Sequence, residues 1–437
     1  MTQPGANRPA GTAPAAPSVR RSILVAGGGI AGITAAVEAA EAGYEVYLAE
    51  KEAYLGGRVA QLNKYFPKLC PPYCGLEINF QRIRNNPKIR IFTLAEVEKI
   101  SGEPGNFDVT VLQHPRYVND RCTACNACVP VCPSTRPDAF NFGMNTTKAI
   151  YLPHAMAFPM KYAIDPKTCA LEACAKCVEA CEYDAIDLRM QPKSFHLQVG
   201  AIIFATGWKP YDAARIDNLG FGRYADVITN VMMERLAAPN GPTQGRIVRP
   251  SNGGPVNSIA FVQCAGQRDT THLGYCSSIC CMASLKQATY LREQNPQSKV
   301  YIFYIDLRTP GTYEFFSKKV QSDPNVITLK GKVAKIVEDA GTSGLIVEAE
   351  DILSAKKRRF PVDLVVLATG MVPAIEEKKP SVPLSFDKDR FILPEEMAPG
   401  IYAAGCARGP VDVETSVQDA TAATLRAIQA IHAAAAQ

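Results

Sequence analysis

The sequence predicts an α/β protein of two strand–helix–strand units, the first interrupted by a small cysteine-rich α+β insert. Three observations carry that expectation. A strand, a glycine-rich turn and a helix follow one another at residues 22–41, a second strand-to-helix passage occupies residues 258–293, and eight cysteines crowd between them at residues 122–181. At 437 residues the chain exceeds what one hydrophobic core usually organises. The expected division is a disordered tail at 1–20, the first unit at 21–115, the insert at 116–190, a return to the first unit at 191–250, the second unit at 251–355, and a closing segment of the first unit at 356–437.

Residues 1–20 are rich in Pro, Ala and Gly and lack the cationic start and apolar core of a secretory leader. No uninterrupted apolar run reaches the roughly 18 residues a membrane span needs, so any membrane contact is expected to be indirect. The formal charge of +5, from 47 basic and 42 acidic residues, does not predict nucleic-acid binding. Lys356-Lys357-Arg358-Arg359 reads as a solvated turn. Fifteen cysteines at short spacings, in a chain without an export signal, favour metal ligation over disulfides and a reducing cytoplasm.

Ser22-Ile23-Leu24-Val25-Ala26 is a buried-type strand that runs into Gly27-Gly28-Gly29-Ile30-Ala31-Gly32 and then a helical stretch, Ile33 to Glu41. In this GxGxxG, Gly27 permits the turn, Gly29 lets backbone approach a pyrophosphate, and Gly32 lets helix pack on strand, with the helix N-terminus facing the phosphates. A second strand, Tyr44 to Ala49, ends in Glu50, placed to hold a ribose hydroxyl. Strand, turn, helix and acid together make a dinucleotide site, though the motif alone does not separate FAD from NAD.

The insert opens with Cys122-x2-Cys125-x2-Cys128-x3-Cys132-Pro133, the bacterial ferredoxin run, in which three thiolates wrap one [4Fe–4S] cluster and the fourth points to a second. Cys169-x4-Cys174-x2-Cys177-x3-Cys181 supplies the second set, with a four-residue first gap, Glu182 where proline is usual, and a short strand expected at Ala185–Leu188. The two-cluster rule pairs Cys122, Cys125, Cys128 and Cys181 around one cluster and Cys132, Cys169, Cys174 and Cys177 around the other. Zinc is the structural alternative such spacings support, and the CxxCxxCxxxCP form argues against it.

In the second unit the strand Ser258–Val262 leads into Gln263-Cys264-Ala265-Gly266-Gln267-Arg268, which lacks GxGxxG, so nicotinamide binding is not expected. Cys264-x11-Cys276-x3-Cys280-Cys281 precedes a helical run from Met282 to Glu293. Four thiols at a strand end and a helix start can converge on one cluster, with Cys276 and Cys280 a helical turn apart and Cys280 and Cys281 pointing different ways. Buried core thiols are the plain alternative.

Gly56-Gly57-Arg58, the strand ends Ala205-Thr206-Gly207 and Ala368-Thr369-Gly370, and Gly400-Ile401-Tyr402-Ala403-Ala404-Gly405 together resemble the two-dinucleotide-fold flavoproteins typified by thioredoxin reductase. That resemblance implies a double Rossmann-type FAD fold with a two-cluster ferredoxin-like insert. It also implies FAD contacts at Gly27, Gly29, Ile30, Ala31, Gly32, Glu50, Lys51, Gly57, Arg58, Val97, Ala205, Thr206, Gly207, Gly370, Gly405 and Val417. Cys406 stands where most members have an aspartate.

Across residues 21–430 the motifs resemble the A-type component of heterodisulfide reductase and its relatives. The resemblance implies a third [4Fe–4S] cluster at Cys264, Cys276, Cys280 and Cys281. Methanogen-type members carry further cluster-binding segments at both ends, which are not expected here. The compact form is most similar to the A-type components of quinone-interacting membrane-bound oxidoreductases. The implied role is an electron-transfer oxidoreductase subunit beside a second flavoprotein of the same kind and a haem-containing membrane subunit, relaying electrons between the quinone pool and adenylylsulfate reductase in dissimilatory sulfur metabolism. Its setting would be cytoplasmic, with membrane association through those partners.

Alternatives are a bifurcating heterodisulfide-reductase-type flavin, an NADPH:acceptor oxidoreductase, and a scaffold with a structural flavin. No side-chain acid or base is expected to be catalytic. Cys70-Pro71-Pro72-Tyr73-Cys74 fits either a redox disulfide or a packed turn. His114, His154, His196, His272 and His432 show no ligand spacing.

Overall fold

The computed structural model describes residues 19–66, 68–341, 344–375, 381, 383–393 and 397–436, so the expected tail lies outside the described residues except for its last two positions. Ser22–Ala26 (β1) is buried along its whole length and forms the centre of a five-stranded parallel sheet. The order across that sheet is Ile401–Ala403, Ala201–Phe204, β1, Glu45–Glu50 (β2) and Ile89–Thr93 (β3). A strand buried on both faces needs cover on both. One face is covered by helix α1 (Ile30–Glu41), which starts three residues earlier than its apolar pattern predicts. The turn that aims α1 depends on its glycines: a Cβ on Gly32 would stand 1.7 Å from the Gly27 carbonyl oxygen.

Helix α2 spans Tyr73–Arg84, and a three-stranded antiparallel sheet, Ala95–Glu103, Asn106–Gln113 and Lys193–Val199, packs behind the first unit. The insert leaves this sheet at Gln113 and rejoins it at Lys193, residues paired across neighbouring strands. Its two ends are therefore adjacent, the geometry in which an inserted domain disturbs its host least. The closure continues upward through the hydrogen bond from Asp187 N to Tyr117 O, 3.0 Å, and the Val118–Ile186 bridge. The strand expected at Ala185–Leu188 is thus a single bridge. Inside the insert are two ribbons, Thr135–Pro137 with Thr146–Lys148 and Ile150–Tyr151 with Ala163–Ile164, and the one-turn helix α3 (Lys176–Glu179).

The second five-stranded parallel sheet runs Val227–Thr229, Leu364–Thr369, Ser258–Ala265, Lys299–Tyr304, Val326–Lys330. Helices α4 (Asn230–Ala237), α5 (Cys280–Gln294) and α6 (Tyr313–Gln321) accompany it. The two strands on one side of that order come from stretches expected in the first unit, because Val227–Thr229 and Leu364–Thr369 find their parallel partners here. Lys356–Arg359 is likewise strand and not turn. It belongs to Lys356–Val362, paired antiparallel with Leu345–Asp351 so that Arg359 faces Glu348 and Lys357 faces Glu350, and opposite charges across the pair stabilise an exposed ladder. Helix α7 (Val413–Ala435) returns to pack on α1. Among the described residues no helix is long and apolar enough to cross a membrane.

Candidate functional site

A cavity of about 830 Å³ opens between the two units. At one end lie the start of α1, the end of β2 and Ala205–Lys209; at the other lie Tyr65, Phe66, Glu234, Met282, Lys286 and Tyr313; the insert supplies a side wall that includes Arg136, Phe140 and Tyr151. Of the sequence-predicted residues, Gly29, Ile30, Ala31, Glu50, Lys51, Gly57, Arg58, Ala205, Thr206 and Gly207 line it. Gly27 and Gly32 stand behind that lining and shape the turn, and Gly405 packs against Ala31 and Ser416.

Three residues are elsewhere. Val97 is buried in the core between the first sheet and the antiparallel sheet. Gly370 follows the Leu364–Thr369 strand of the second sheet, where an added Cβ would meet Leu273 and Gln267. Val417 sits on α7 just beyond the lining residues Val413–Ser416.

The cavity fits a dinucleotide. Gly29 caps α1 with no side-chain hydrogen bond and has open space where a Cβ would be, which leaves the helix N-terminus free to meet an anion. The Thr206 hydroxyl is buried on the same wall without a partner. Glu50 accepts hydrogen bonds from Gly28 N at 2.6 Å and Glu52 N at 2.7 Å, and its burial pushes its pKa up to about 7. Where an aspartate is usual, Cys406 turns its thiol to the Val411 carbonyl at 3.4 Å, while Asp412 caps α7 by accepting from Thr415 N at 2.8 Å.

The far end holds residues that sequence reading missed. Lys286 Nζ lies 3.0 Å from Glu234 Oε1, with the side chains 5% and 4% exposed. Glu234 also accepts from Asn63 N at 2.9 Å, Gln287 Nε2 at 2.7 Å and the Tyr290 hydroxyl at 3.2 Å. These groups come from α4, α5 and the 63–65 loop, so no local spacing announces them. His154 is stacked on Phe140 at 4.6 Å, and its burial lowers its pKa to about 4.

The insert gathers its thiols in two groups. Cys128 has Cys122, Cys177 and Cys125 as neighbouring thiols, and Cys177 has Cys169, Cys132 and Cys174, so the two groups adjoin at Cys128 and Cys177. Burial pushes Cys128 up to about 12 and Cys177 up to about 11, with the neighbouring thiols adding to each rise. The chain around Cys181 reaches the first group through Asn119, whose N–H donates to Ala185 O at 2.8 Å and whose carbonyl accepts from Cys122 N at 3.3 Å. Left-handed residues between the cysteines, Ala124 (φ +58°), Asn126 (φ +71°), Leu171 (φ +49°) and Ala175 (φ +49°), bend the loops that wrap each group. Among the described residues, no three Cys, His, Asp or Glu side chains converge closely enough to hold a single metal ion.

In the second unit, Cys264 sits at a bulge in its strand with φ +55°, and Cys280 and Cys281 are the first residues of α5. Cys276 therefore precedes the helix and is not a helical turn from Cys280, because α5 begins only at Cys280. The adjacent pair diverges: Cys280 Sγ meets Gln267 Nε2 at 3.3 Å, and Cys281 Sγ meets the Asp306 carbonyl at 3.5 Å. Cys264, Cys276 and Cys281 all neighbour Cys280, whose burial pushes it up to about 12. Ser278, Ile279 and Met282, flanking these thiols, line the cavity. Cys70 and Cys74 both neighbour the Tyr65 phenol, which faces the same cavity and whose pKa burial raises.

Residues 22–67 match the family described as FAD dependent oxidoreductase. The chain is 40% identical over 93% of its length to the A-type iron-sulfur component of the CoB–CoM heterodisulfide reductase of Methanocaldococcus jannaschii, spanning 63% of that protein. It is 36% identical over 94% of its length to the A-type component of the H(2):CoB-CoM heterodisulfide,ferredoxin reductase of Methanothermobacter marburgensis, spanning 64% of it. The chain thus spans less than two thirds of the length of these curated relatives. Among solved structures, the Lactococcus lactis thioredoxin reductase is similar over 95% of this chain and 100% of its own, at 13% identity and TM-score 0.52. The T. acidophilum thioredoxin reductase is similar over 94% and 99%, at 15% identity and TM-score 0.50. The fold is thioredoxin-reductase-like.

Proposed function

The chain is a homologue of the A-type component of heterodisulfide reductase along nearly its whole length, and from that premise we propose that it is the FAD and iron–sulfur electron-transfer subunit of a multi-subunit oxidoreductase. FAD, when bound, accepts electrons in pairs and passes them on singly. The chain's residues would supply its seat: the α1 N-terminus would take the pyrophosphate and Glu50 the ribose, with the backbone at Ala205–Gly207 beside them on the same end of the cavity. Cys122, Cys125, Cys128 and Cys181 would hold one [4Fe–4S] cluster, Cys132, Cys169, Cys174 and Cys177 a second, and Cys264, Cys276, Cys280 and Cys281 a third.

The observation that carries this reading is the shared cavity. One space is walled by the GxGxxG turn, by the insert, and by the start of α5 beside Cys280 and Cys281, so thiol-bearing elements meet the flavin seat from two directions.

We place this subunit between a quinone pool and a soluble acceptor or donor such as adenylylsulfate reductase, working beside a second flavoprotein and a haem-containing membrane subunit. Against NADPH as the electron source stands the strand Ser258–Ala265, which carries the bulged Cys264 near its end and is not followed by a GxGxxG cradle for phosphate.

Anaerobic iron, sulfide and flavin quantification, with electron paramagnetic resonance during reduction, tests the assignment. About twelve irons and one FAD per chain are expected. About eight irons would return Cys264, Cys276, Cys280 and Cys281 to a packing role. Rapid bleaching of the flavin by NADPH alone would favour the NADPH:acceptor reading.

A further inference from the structure

We propose that the insert is part of the flavin seat: one frame holds Cys132 and Cys169 and presents Arg136 and Tyr151 to the adenosine end of the cavity, so that assembling the cluster at Cys132, Cys169, Cys174 and Cys177 tightens FAD binding. This inference rests on the cofactor assignment made above.

The frame is built on Ala149, which is fully buried. Its N–H donates to the Ser134 carbonyl at 3.1 Å, and its carbonyl accepts from Asp165 N at 2.9 Å. Each of the two flanking residues is tied to a cysteine. The Cys132 thiol approaches the Ser134 carbonyl at 3.6 Å, and Cys169 N donates to the Asp165 carbonyl at 3.0 Å. The same two flanks carry the cavity wall. Arg136 lies on the ribbon strand Thr135–Pro137, two residues beyond Ser134, and its Nε stands 3.7 Å from the Asp165 carboxylate. Tyr151 lies two residues beyond Ala149, in the ribbon that pairs with Ala163–Ile164 immediately before Asp165. The Arg136 guanidinium covers the Tyr151 ring at 4.0 Å, and both side chains line the cavity with Glu50 and Lys51.

Arg136 has a ligand-ready chemistry. Its side chain is 12% exposed, its nearest carboxylate lies beyond hydrogen-bond distance, and its buried Nε has no hydrogen-bond partner. A cation stacked on a phenol ring beside the ribose-binding acid complements a ligand that is both aromatic and anionic, which the adenosine diphosphate half of FAD is. Arg116 fastens this wall to the first unit. Its guanidinium donates to Thr93 Oγ1 at 2.8 Å and to the Ala53 carbonyl on one side, and to the Lys161 carbonyl at 3.1 Å on the other.

Coupling follows from strain. The loop from Asp165 to Cys177 contains Leu171 and Ala175 in the left-handed region, a conformation that persists only where surrounding bonds impose it. Backbone bonds from Cys174 N and Ala175 N to Leu171 O, at 3.0 and 3.2 Å, hold part of it, and four thiolate–iron bonds would tighten that hold and so fix Asp165 and, through it, Arg136.

The test uses the full chain, reconstituted anaerobically, with iron content and FAD dissociation measured by flavin fluorescence. Cys169→Ser is expected to lose about four irons and to bind FAD about tenfold more weakly. Arg136→Ala is expected to keep its iron and weaken FAD binding to a similar degree, about tenfold. Cys125→Ser is expected to lose about four irons from the other group with less than about a twofold change in FAD binding. Unchanged FAD affinity in Cys169→Ser, or equal weakening in Cys125→Ser, overturns the coupling. If Cys169→Ser does not fold, Cys174→Ser makes the same comparison, and unchanged FAD affinity there or in Arg136→Ala overturns the proposal. A wild-type chain that takes up neither iron nor FAD overturns the cofactor assignment itself.

Discussion

Glu50 shows at a single residue what the flavin seat costs the empty protein. Burial raises its pKa from 4.5 to about 7 although two backbone N–H groups favour its charged form. An acid whose folded pKa lies above its unfolded value binds more protons folded than unfolded between the two, so stability falls as pH rises through that window. For flavin-free protein, stability is expected to drop by about 3 kcal/mol between about pH 4.5 and pH 7 on account of this group, and to be level above. Thermal melts of the wild type and Glu50→Gln across that range check it, because their difference isolates Glu50 whatever constant offset the substitution adds. Parallel pH curves would show that Glu50 does not titrate there. The sequence announced Glu50 by its position after β2 but could not announce its protonation, which depends on burial by residues distant in the chain.

At the scale of elements, what was legible is what short-range spacing encodes. The strand Ser22–Ala26 and the glycine turn fall where pattern and turn chemistry place them, α1 begins at Ile30 and not at Ile33, and short spacing brings Cys122 and Cys125 close to Cys128 and Cys174 close to Cys177. Gly32 gives this a test. A Cβ there would press 1.7 Å from the Gly27 carbonyl oxygen, a backbone atom that cannot move without opening the turn. Gly32→Ala is therefore expected to lower bound FAD more than about tenfold, read as flavin per chain after desalting; full retention would mean that the turn tolerates a shifted helix. Gly370 was misplaced for the converse reason. Ala205-Thr206-Gly207 and Ala368-Thr369-Gly370 are the same triplet at the ends of parallel strands, and only tertiary pairing decides that the first faces the flavin seat and the second faces Leu273 and Gln267. Cys276 was misjudged because α5 begins only at Cys280, after an irregular stretch whose path no helical spacing encodes.

For the whole molecule, the feature no local reading could reach is the buried joint between the two units. Glu234 on α4 binds Lys286 and Gln287 on α5 and the backbone of Asn63 in the first unit, while Lys286 donates to the Lys64 carbonyl beside it. The two partners are unequal. Glu234 satisfies four groups, namely Lys286, Asn63 N, Gln287 and Tyr290, whereas Lys286 satisfies Glu234 and one carbonyl. Removing one partner of a buried pair leaves the other charge uncompensated, at a cost of about 3–5 kcal/mol. Removing Glu234 also takes the acceptor from Asn63 N and the Tyr290 hydroxyl, each adding roughly 1 kcal/mol or more, while Gln287 keeps its bond to the Asn230 carbonyl at 2.9 Å. Glu234→Ala is therefore expected to destabilise the chain more than Lys286→Met, and to raise amide hydrogen exchange at residues 61–66 on the far side of the joint. In Lys286→Met the remaining donors hold Glu234, and exchange at 61–66 should rise less. Equal destabilisation, with no exchange change at 61–66, would mean that the pair stabilises only its own unit and that other contacts keep the two sheets around the cavity.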